Sequence, residues 1–369
     1  MIVQPYNQAQ PIRTVSLTAL AQQLVAIPSH DDPNPVETVI VEQLAAQRGV
    51  EIERSDAGII ARRGGGGALA LVCHHDVVAP DESQLDGEDY TTAIRDGRLY
   101  GRGSADMKGA LAAAIRAFCD ADGPCTLASF RGEEQGGLGV RRAIDDGFDP
   151  AFAVVCEGST GYSQPGVTDI AVAHLGRRAS TITTHGTAAH ASEPTAGSNA
   201  IYRASTIVDR LRAVTPPAAT ILGSELQGTL AVTEIDGGDA WNVIPDRCAI
   251  TVDERTVPGD RVPLEDCTSE SWCSWSIDQD LPPFACTDDS FAERALERAR
   301  AVQPKSPVLV TKPHATDAGW LAQEATTCLV CGPAEPGEAH TATESVSMEA
   351  LERCYRIYLG LIERLSQMD

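Results

Sequence analysis

Hydrophobic and polar positions divide the chain into short amphipathic helices and short apolar runs. Apolar residues at helical spacing predict helices over 16–27, from Asn34 to about Gly49, over 108–121, and from about Ser347 onward. Ser16 is a predicted N-cap of the first helix. Asn34 is predicted to cap the second helix, with Glu37 closing a capping box three residues later.

Short, mostly apolar runs predict buried strands, and the continuous run at 69–73 predicts a strand that is buried on both faces. The other runs lie at 126–130, 152–156, 308–310 and 326–331, and two further short strands fit within 50–62. Since helices separate most of these runs, they predict an α/β fold whose sheet is mostly parallel and flanked by helices.

The pattern changes between about 176 and 280. Apolar and polar residues alternate over 179–184 and 229–235, which predicts strands with one buried face. A helix is predicted between them, over 199–214. We therefore predict an inserted α+β domain at 176–281 and a discontinuous catalytic domain made of 1–175 and 282–369.

Composition and net charge limit the kinds of binding partner and the cellular location that we expect for this protein. The net charge of -23 argues against nucleic acid and against an anionic membrane surface. Neither an apolar run of about 18 residues nor a secretory signal is visible, so we expect a cytoplasmic protein without a membrane span. The 11 cysteines are odd in number and scattered, which favours reduced thiols over a disulfide framework.

Ionisable side chains follow the predicted strands and the glycine-rich turn before the helix at 108–121. They are His74, Asp76, Asp106, Glu133, Glu134, Glu157 and His340. Because the carboxyl ends of parallel strands meet at one edge of a sheet, we expect these side chains to meet there. Several carboxylates crowded at one edge repel one another unless a cation neutralises them. Histidines and carboxylates together suit zinc, and also cobalt or manganese.

The segments that carry these residues resemble the dinuclear zinc metallopeptidase family that contains acetylornithine deacetylase, succinyl-diaminopimelate desuccinylase, aminoacylase and carboxypeptidase G. The matching segments are Leu-Val-Cys-His-His-Asp at 71–76, Gly-Arg-Gly-Ser-Ala-Asp-Met-Lys-Gly at 101–109, Glu-Glu at 133–134, Cys-Glu-Gly-Ser-Thr at 156–160, Gly-Thr-Ala-Ala-His-Ala-Ser at 186–192, Ala-Trp-Asn-Val-Ile-Pro-Asp at 240–246, and Ala-His at 339–340. The resemblance implies a zinc-peptidase-like α/β fold with an inserted, ferredoxin-like α+β lid that also forms a homodimer.

The resemblance also implies two divalent metal ions, zinc first, with cobalt or manganese as alternatives. By position, His74, Asp106 and Glu157 would hold one ion. Asp106, Glu134 and His340 would hold the other, so Asp106 would bridge the two ions.

Further roles follow from the same resemblance. Asp76 would hydrogen-bond the ring of the first histidine ligand, and Glu133 would be the general base and acid. Neighbouring residues on a strand point to opposite faces, so Glu133 would stay free beside the ligand Glu134.

The inserted domain is expected to contribute to substrate binding. His190 would reach the site of the partner subunit as an oxyanion donor, and Asn242 and Arg255 would bind the substrate carboxylate. A surface ion pair is the competing interpretation for Arg255. The expected activity is hydrolysis of the amide bond of a small N-acyl amino acid. The alternatives are a di- or carboxypeptidase acting on a short peptide and a catalytically inactive binding protein.

Overall fold

The computed structural model describes residues 15–365 of the chain. The helices found there, in chain order, are α1 (Leu17–Ala26), α2 (Asn34–Ala45), α3 (Gly109–Asp120), α4 (Leu138–Asp145), α5 (Ala200–Ala213), α6 (Leu264–Cys267), α7 (Asp289–Ala301), α8 (Ala318–Gln323) and α9 (Met348–Leu365). Among these residues, no helix is both long enough and apolar enough to cross a membrane.

The strands of the described residues, many of them short, run from β1 to β22. In chain order they are β1 (Val50–Ser55), β2 (Gly58–Arg63), β3 (Leu69–His74), β4 (Leu85–Asp86), β5 (Asp89–Tyr90), β6 (Ala93–Arg95), β7 (Arg98–Tyr100), β8 (Cys125–Phe130), β9 (Phe152–Val155), β10 (Ile170–His174), β11 (Gly176–His185), β12 (Ala189–His190), β13 (Ala218–Ile221), β14 (Ser224–Gln227), β15 (Thr229–Gly237), β16 (Val243–Ile244), β17 (Arg247–Thr256), β18 (Cys273–Leu281), β19 (Phe284–Ala285), β20 (Leu309–Lys312), β21 (Thr327–Val330) and β22 (Ser345–Ser347).

These elements form two compact units. Within the described residues, the first unit contains 15–173, 285–312 and 316–365, and the second contains 174–284 together with 313–315.

The main sheet has the strand order β1-β2-β8-β3-β9-β21-β10-β19, with β20 paired to β10. Its central strands β8, β3, β9 and β21 are parallel. Every residue of β3 and β8 is buried, which explains why apolar residues predominate in both strands. The prediction of a mostly parallel sheet is confirmed for this centre. The sequence did not reveal the antiparallel pairing of β1 with β2, β2 with β8 and β10 with β21.

Helix α1 begins as predicted, but α2 does not. The hydroxyl of Ser16 accepts a hydrogen bond from the Ala19 amide at 3.2 Å, which confirms this N-cap. Helix α2 starts at Asn34 itself, after Pro33, and no side chain caps it. The predicted capping box is therefore wrong. The side chain of Glu37 points into the protein instead, where ion pairs to arginine satisfy its carboxylate.

The second unit has the α+β architecture that the alternating pattern predicts. Its sheet has the order β15-β17-β11-β18, with antiparallel pairing throughout. Every second residue of β17 is buried. The core of this unit joins residues of α5 to residues of β11 and β17, among them Ile182, Ala204, Ile207, Ile250 and Val252.

Candidate metal centre

The acidic and histidine side chains predicted at the strand ends form two neighbouring groups in the first unit. In each group, one oxygen or nitrogen atom per residue lies within 4.8 Å of the corresponding atoms of the others. The first group is His74, Glu133 and Glu157, and the second is Asp106, Glu134 and His340. All five predicted metal ligands thus lie in these two groups, but the first group contains the predicted base Glu133 where the prediction had Asp106.

Asp106 lies between the two groups. Its Oδ1 is 3.0 Å from Nε2 of His74, and its Oδ2 is 3.3 Å from Nε2 of His340. The main-chain amide of Asp106 donates to Oε1 of the buried Glu344 at 3.2 Å, and Glu344 also forms an ion pair with Arg102. One carboxylate oxygen therefore faces each histidine, which is the arrangement that a bridging ligand needs.

His74 and Asp76 leave β3 together, but their contact differs from the predicted one. Nδ1 of His74 donates to the main-chain oxygen of Asp76 at 3.1 Å, whereas the Asp76 carboxylate lies 3.6 Å away. That carboxylate accepts the amides of Glu133 and Glu134, both at 3.2 Å. Burial raises the pKa of Asp76, but the contacts with His74 outweigh burial and hold that pKa below its ordinary value. Asp76 thus orients the ring and also holds the following turn.

Glu133 and Glu134 follow β8 in a turn, so the prediction that they alternate along a strand is wrong. The turn still directs the two side chains differently. Glu134 lies 2.9 Å from Nε2 of His340, whereas Glu133 is grouped with His74 and Glu157. Burial, together with the charge of Glu157, raises the pKa of Glu133 well above its ordinary value. Glu133 is therefore suited to carry a proton.

Two further residues of this region were not predicted to act there. Nζ of Lys312, at the end of β20, lies 3.1 Å from Oε2 of Glu157, and both side chains are buried. Burial raises the pKa of Asp317 to about 8, and its Oδ1 lacks a hydrogen-bond partner among the described residues. The only available signal for Lys312 was the rarity of lysine, which occurs three times in the sequence.

The charges of this region suit a bound divalent cation. Burial raises the pKa of Glu157 despite its pairing with Lys312. Hydrogen bonds to Asp106 and Glu134 raise the pKa of His340 to about 10. Bound protons thus neutralise part of the negative charge of the crowded carboxylates. A metal cation would neutralise that charge in their place. Imidazole and carboxylate donors in two adjacent groups fit a pair of divalent ions such as zinc.

The three predicted residues of the inserted segment lie in the second unit. His190 is exposed, and its Nδ1 is 2.7 Å from the hydroxyl of Ser192. Strand β12, which contains His190, pairs with β16, which directly follows Asn242. Arg255 donates from Nε to Asp253 at 2.8 Å, which matches the ion-pair interpretation of this residue.

Two cysteines directly precede predicted ligands. Cys73 comes before His74, and Cys156 comes before Glu157, on adjacent parallel strands or at their ends. Both are buried, and Sγ of Cys156 donates to the main-chain oxygen of Val154 at 3.5 Å. All 11 cysteines are free thiols, as the sequence predicted.

Comparisons of sequence support the resemblance. The acetylornithine deacetylase of Myxococcus xanthus is 31% identical over 336 residues, which cover 81% of this chain and 83% of that protein. The succinyl-diaminopimelate desuccinylase of Acidiphilium cryptum (strain JF-5) is 28% identical over 335 residues, which cover 84% of this chain and 86% of that protein.

Comparisons of structure show the same fold. A tripeptidase from Staphylococcus aureus has a TM-score of 0.76 at 19% identity and covers 95% of this chain and 98% of its own. A dinuclear metal-binding peptidase from Bacillus subtilis has a TM-score of 0.69 at 16% identity, covering 96% of this chain and 98% of its own. The profile described as Peptidase family M20/M25/M40 matches residues 70–364. The chain therefore belongs to peptidase family M20/M25/M40, and is a hydrolase of that family.

Proposed function

We propose that the protein hydrolyses the amide bond of a small N-acyl amino acid and releases a carboxylate and the free amino acid. The observation that carries this proposal is that Asp106 contacts a histidine of each acid–histidine group, and that the proton carrier Glu133 belongs to the first group. The relatives named acetylornithine deacetylase and succinyl-diaminopimelate desuccinylase support an acetyl or succinyl group as the acyl part.

In this proposal, His74, Asp106 and Glu157 hold one divalent ion, and Asp106, Glu134 and His340 hold the other. Zinc suits this set of nitrogen and oxygen donors best, and cobalt or manganese are the alternatives. When bound, such a pair of ions activates a water molecule and polarises the substrate carbonyl.

The residues of the chain itself supply the proton transfers. Glu133 takes a proton from the attacking water and then gives it to the nitrogen of the leaving amine. Its raised pKa makes Glu133 a stronger base for the first step, and the carboxyl group then keeps the proton until the leaving nitrogen takes it. Asp76 holds the turn that carries Glu133 by accepting two of its amides.

The inserted segment completes the proposal. We assign 1–175 and 282–369 to the catalytic domain and 176–281 to a lid through which two copies form a homodimer. His190 of the partner subunit would then donate a hydrogen bond to the developing oxyanion. Asn242 and Arg255 would bind the substrate carboxylate, for which Arg255 must exchange its present partner Asp253.

A di- or carboxypeptidase is the second candidate, because solved structures of this fold include a tripeptidase and a metallo-carboxypeptidase from Sulfolobus solfataricus. In a peptide substrate, the acyl part of the cleaved amide is an aminoacyl group, whose own amine is free or peptide-bonded. In the first proposal, that acyl part is an acetyl or succinyl group. The complete set of predicted ligands disfavours the third possibility, an inactive binding protein.

The proposal is tested with a panel of N-acetyl amino acids, N-succinyl amino acids and dipeptides, with zinc or cobalt added and with a chelator control. We expect acylated substrates to be preferred and the chelator to abolish turnover. Glu133→Gln should retain metal and fold but lose at least about 100-fold in kcat, whereas Glu51→Gln, an exposed control, should not. A variant Glu133→Gln within about tenfold of wild type would contradict the assigned base.

A further inference from the structure

Glu37 on α2 is a charged residue in the core that the proposed chemistry does not use. Its side chain is 0% exposed. Oε2 accepts hydrogen bonds from Nε of Arg54 and from Nη2 of Arg131, each at 2.7 Å, and Oε1 accepts from Nε of Arg131. Oε1 also lies 3.2 Å from Nε2 of His75. One carboxylate thus joins a helix, the strand β1 and the segments that follow β3 and β8.

His75 is held on both sides of its ring. A carboxylate only accepts hydrogen bonds, so the contact with Glu37 requires a proton on Nε2 of His75. Nδ1 of the ring lies 2.9 Å from the hydroxyl of Ser129. The main chain of His75 is also fixed, because its amide donates to Phe130 at 3.1 Å and its carbonyl accepts from Ser29 at 2.8 Å. The ring therefore has one defined orientation.

Two partners of Glu37 belong to segments that carry candidate metal ligands. His75 is the residue between His74 and Asp76, and Arg131 lies two residues before Glu133. The carboxylate of Asp76 already links the same two segments through the amides of the turn. Glu37 provides a second link between them, made by different atoms.

We propose that Glu37 is a positioning residue of the metal centre. It holds the segment of His74 in a fixed relation to the turn of Glu133 and Glu134, so that the nitrogen donor to one ion and the carboxylate donor to the other keep their spacing. This inference rests on the proposed function, because it takes His74 and Glu134 as metal ligands. A buried ion pair is often no more stabilising than apolar side chains of similar volume in its place, so this pair points to a role in geometry.

The test compares Glu37→Gln with Glu53→Gln in the full-length protein. Glu53 lies on β1, is 58% exposed and pairs with Arg62 at 3.1 Å, so it controls for loss of a glutamate charge. Metal-free protein is titrated with zinc in competition with a coloured chelator, and kcat, KM and the melting temperature are measured alongside. We expect Glu37→Gln to lower zinc affinity and kcat by about 10- to 100-fold, with KM changed by less than about threefold. Glu53→Gln should match wild type.

If Glu37→Gln does not fold, Arg131→Gln replaces it. The side chain of Arg131 is 25% exposed, and its removal leaves Glu37 paired with Arg54 and His75, so the same losses are expected at a smaller size. A folded variant with a lower melting temperature but wild-type zinc affinity and kcat would overturn the positioning role alone. Failure of the wild-type protein to bind zinc, cobalt or manganese would overturn the proposed function as well.

Discussion

The ion pair between Lys312 and Glu157 predicts a stability change that depends on metal. Nζ of Lys312 lies 3.1 Å from Oε2 of Glu157, and the two side chains are 4% and 11% exposed. Lys312→Met preserves most of the length of the side chain and removes its charge. Loss of one partner of a buried pair costs about 3–5 kcal/mol, because the other charge stays buried without compensation. We expect about 3 kcal/mol, the lower end, because Glu157 can take up a proton instead.

Bound metal should remove most of this cost. A divalent ion at Glu157 supplies the positive charge that Lys312 provides in the metal-free protein. We therefore expect the metal-loaded variant to be destabilised by only about 1 kcal/mol. The difference of about 2 kcal/mol corresponds to roughly 30-fold tighter metal binding by the variant.

Urea unfolding, followed by circular dichroism, measures both quantities when it is performed with a chelator and again with excess zinc. Lys305→Met is the matched control, because Lys305 is exposed and the same substitution there should change stability by less than about 0.5 kcal/mol. Equal destabilisation of Lys312→Met under the two conditions would refute the reasoning, as would an equal effect of the control.

Two further predictions concern the bridging carboxylate and the buried glutamate. Asp106→Ala should lose both metal ions, whereas His340→Ala should mainly weaken the binding of one ion. Metal content measured by plasma mass spectrometry distinguishes these outcomes. A single retained ion in Asp106→Ala would contradict the bridging role. Burial raises the pKa of Glu37, but bonds from His75 and Arg131 outweigh it and lower that pKa to about 2 from 4.5. A pKa lowered on folding stabilises the protein above the unfolded value, so about 3 kcal/mol should be present above about pH 4.5 and lost as the pH falls towards 2. Stability of wild type and Glu37→Gln measured over that pH range should converge, and parallel curves would contradict this assignment.

The sequence singled out the residues that the structure groups in the candidate centre, but not the residues that support them. His74, Glu134 and Glu157 follow apolar runs, and a run that is buried on both faces identifies a central strand and therefore its carboxyl end. Lys312 and Glu344 have no local marker that identifies their partners. Lys312 contacts Glu157 across 155 positions of sequence, and Glu344 contacts the amide of Asp106 across 238. No local pattern reports a pair at that separation.

Glu37 shows a different limit of sequence interpretation. A polar residue followed three positions later by glutamate is the pattern of a capping box, and that pattern is local. The two arginines and the buried histidine that pair with Glu37 come from β1 and from the ends of β8 and β3. Ion pairs with residues distant in sequence therefore take the place of the local capping bond, although the sequence is compatible with both.

The position of β21 has a consequence for synthesis on the ribosome. This strand lies between β9 and β10 in the main sheet, although β10 is made long before it. A nascent chain that has emerged only through β10 therefore exposes two strand edges that await a partner, and such edges are prone to pair with other chains. His340 and Glu344 follow β21 in sequence. The segment from β21 to Glu344 therefore completes both the sheet and the second ligand group. A chain whose synthesis stops before β21 contains neither of them in complete form.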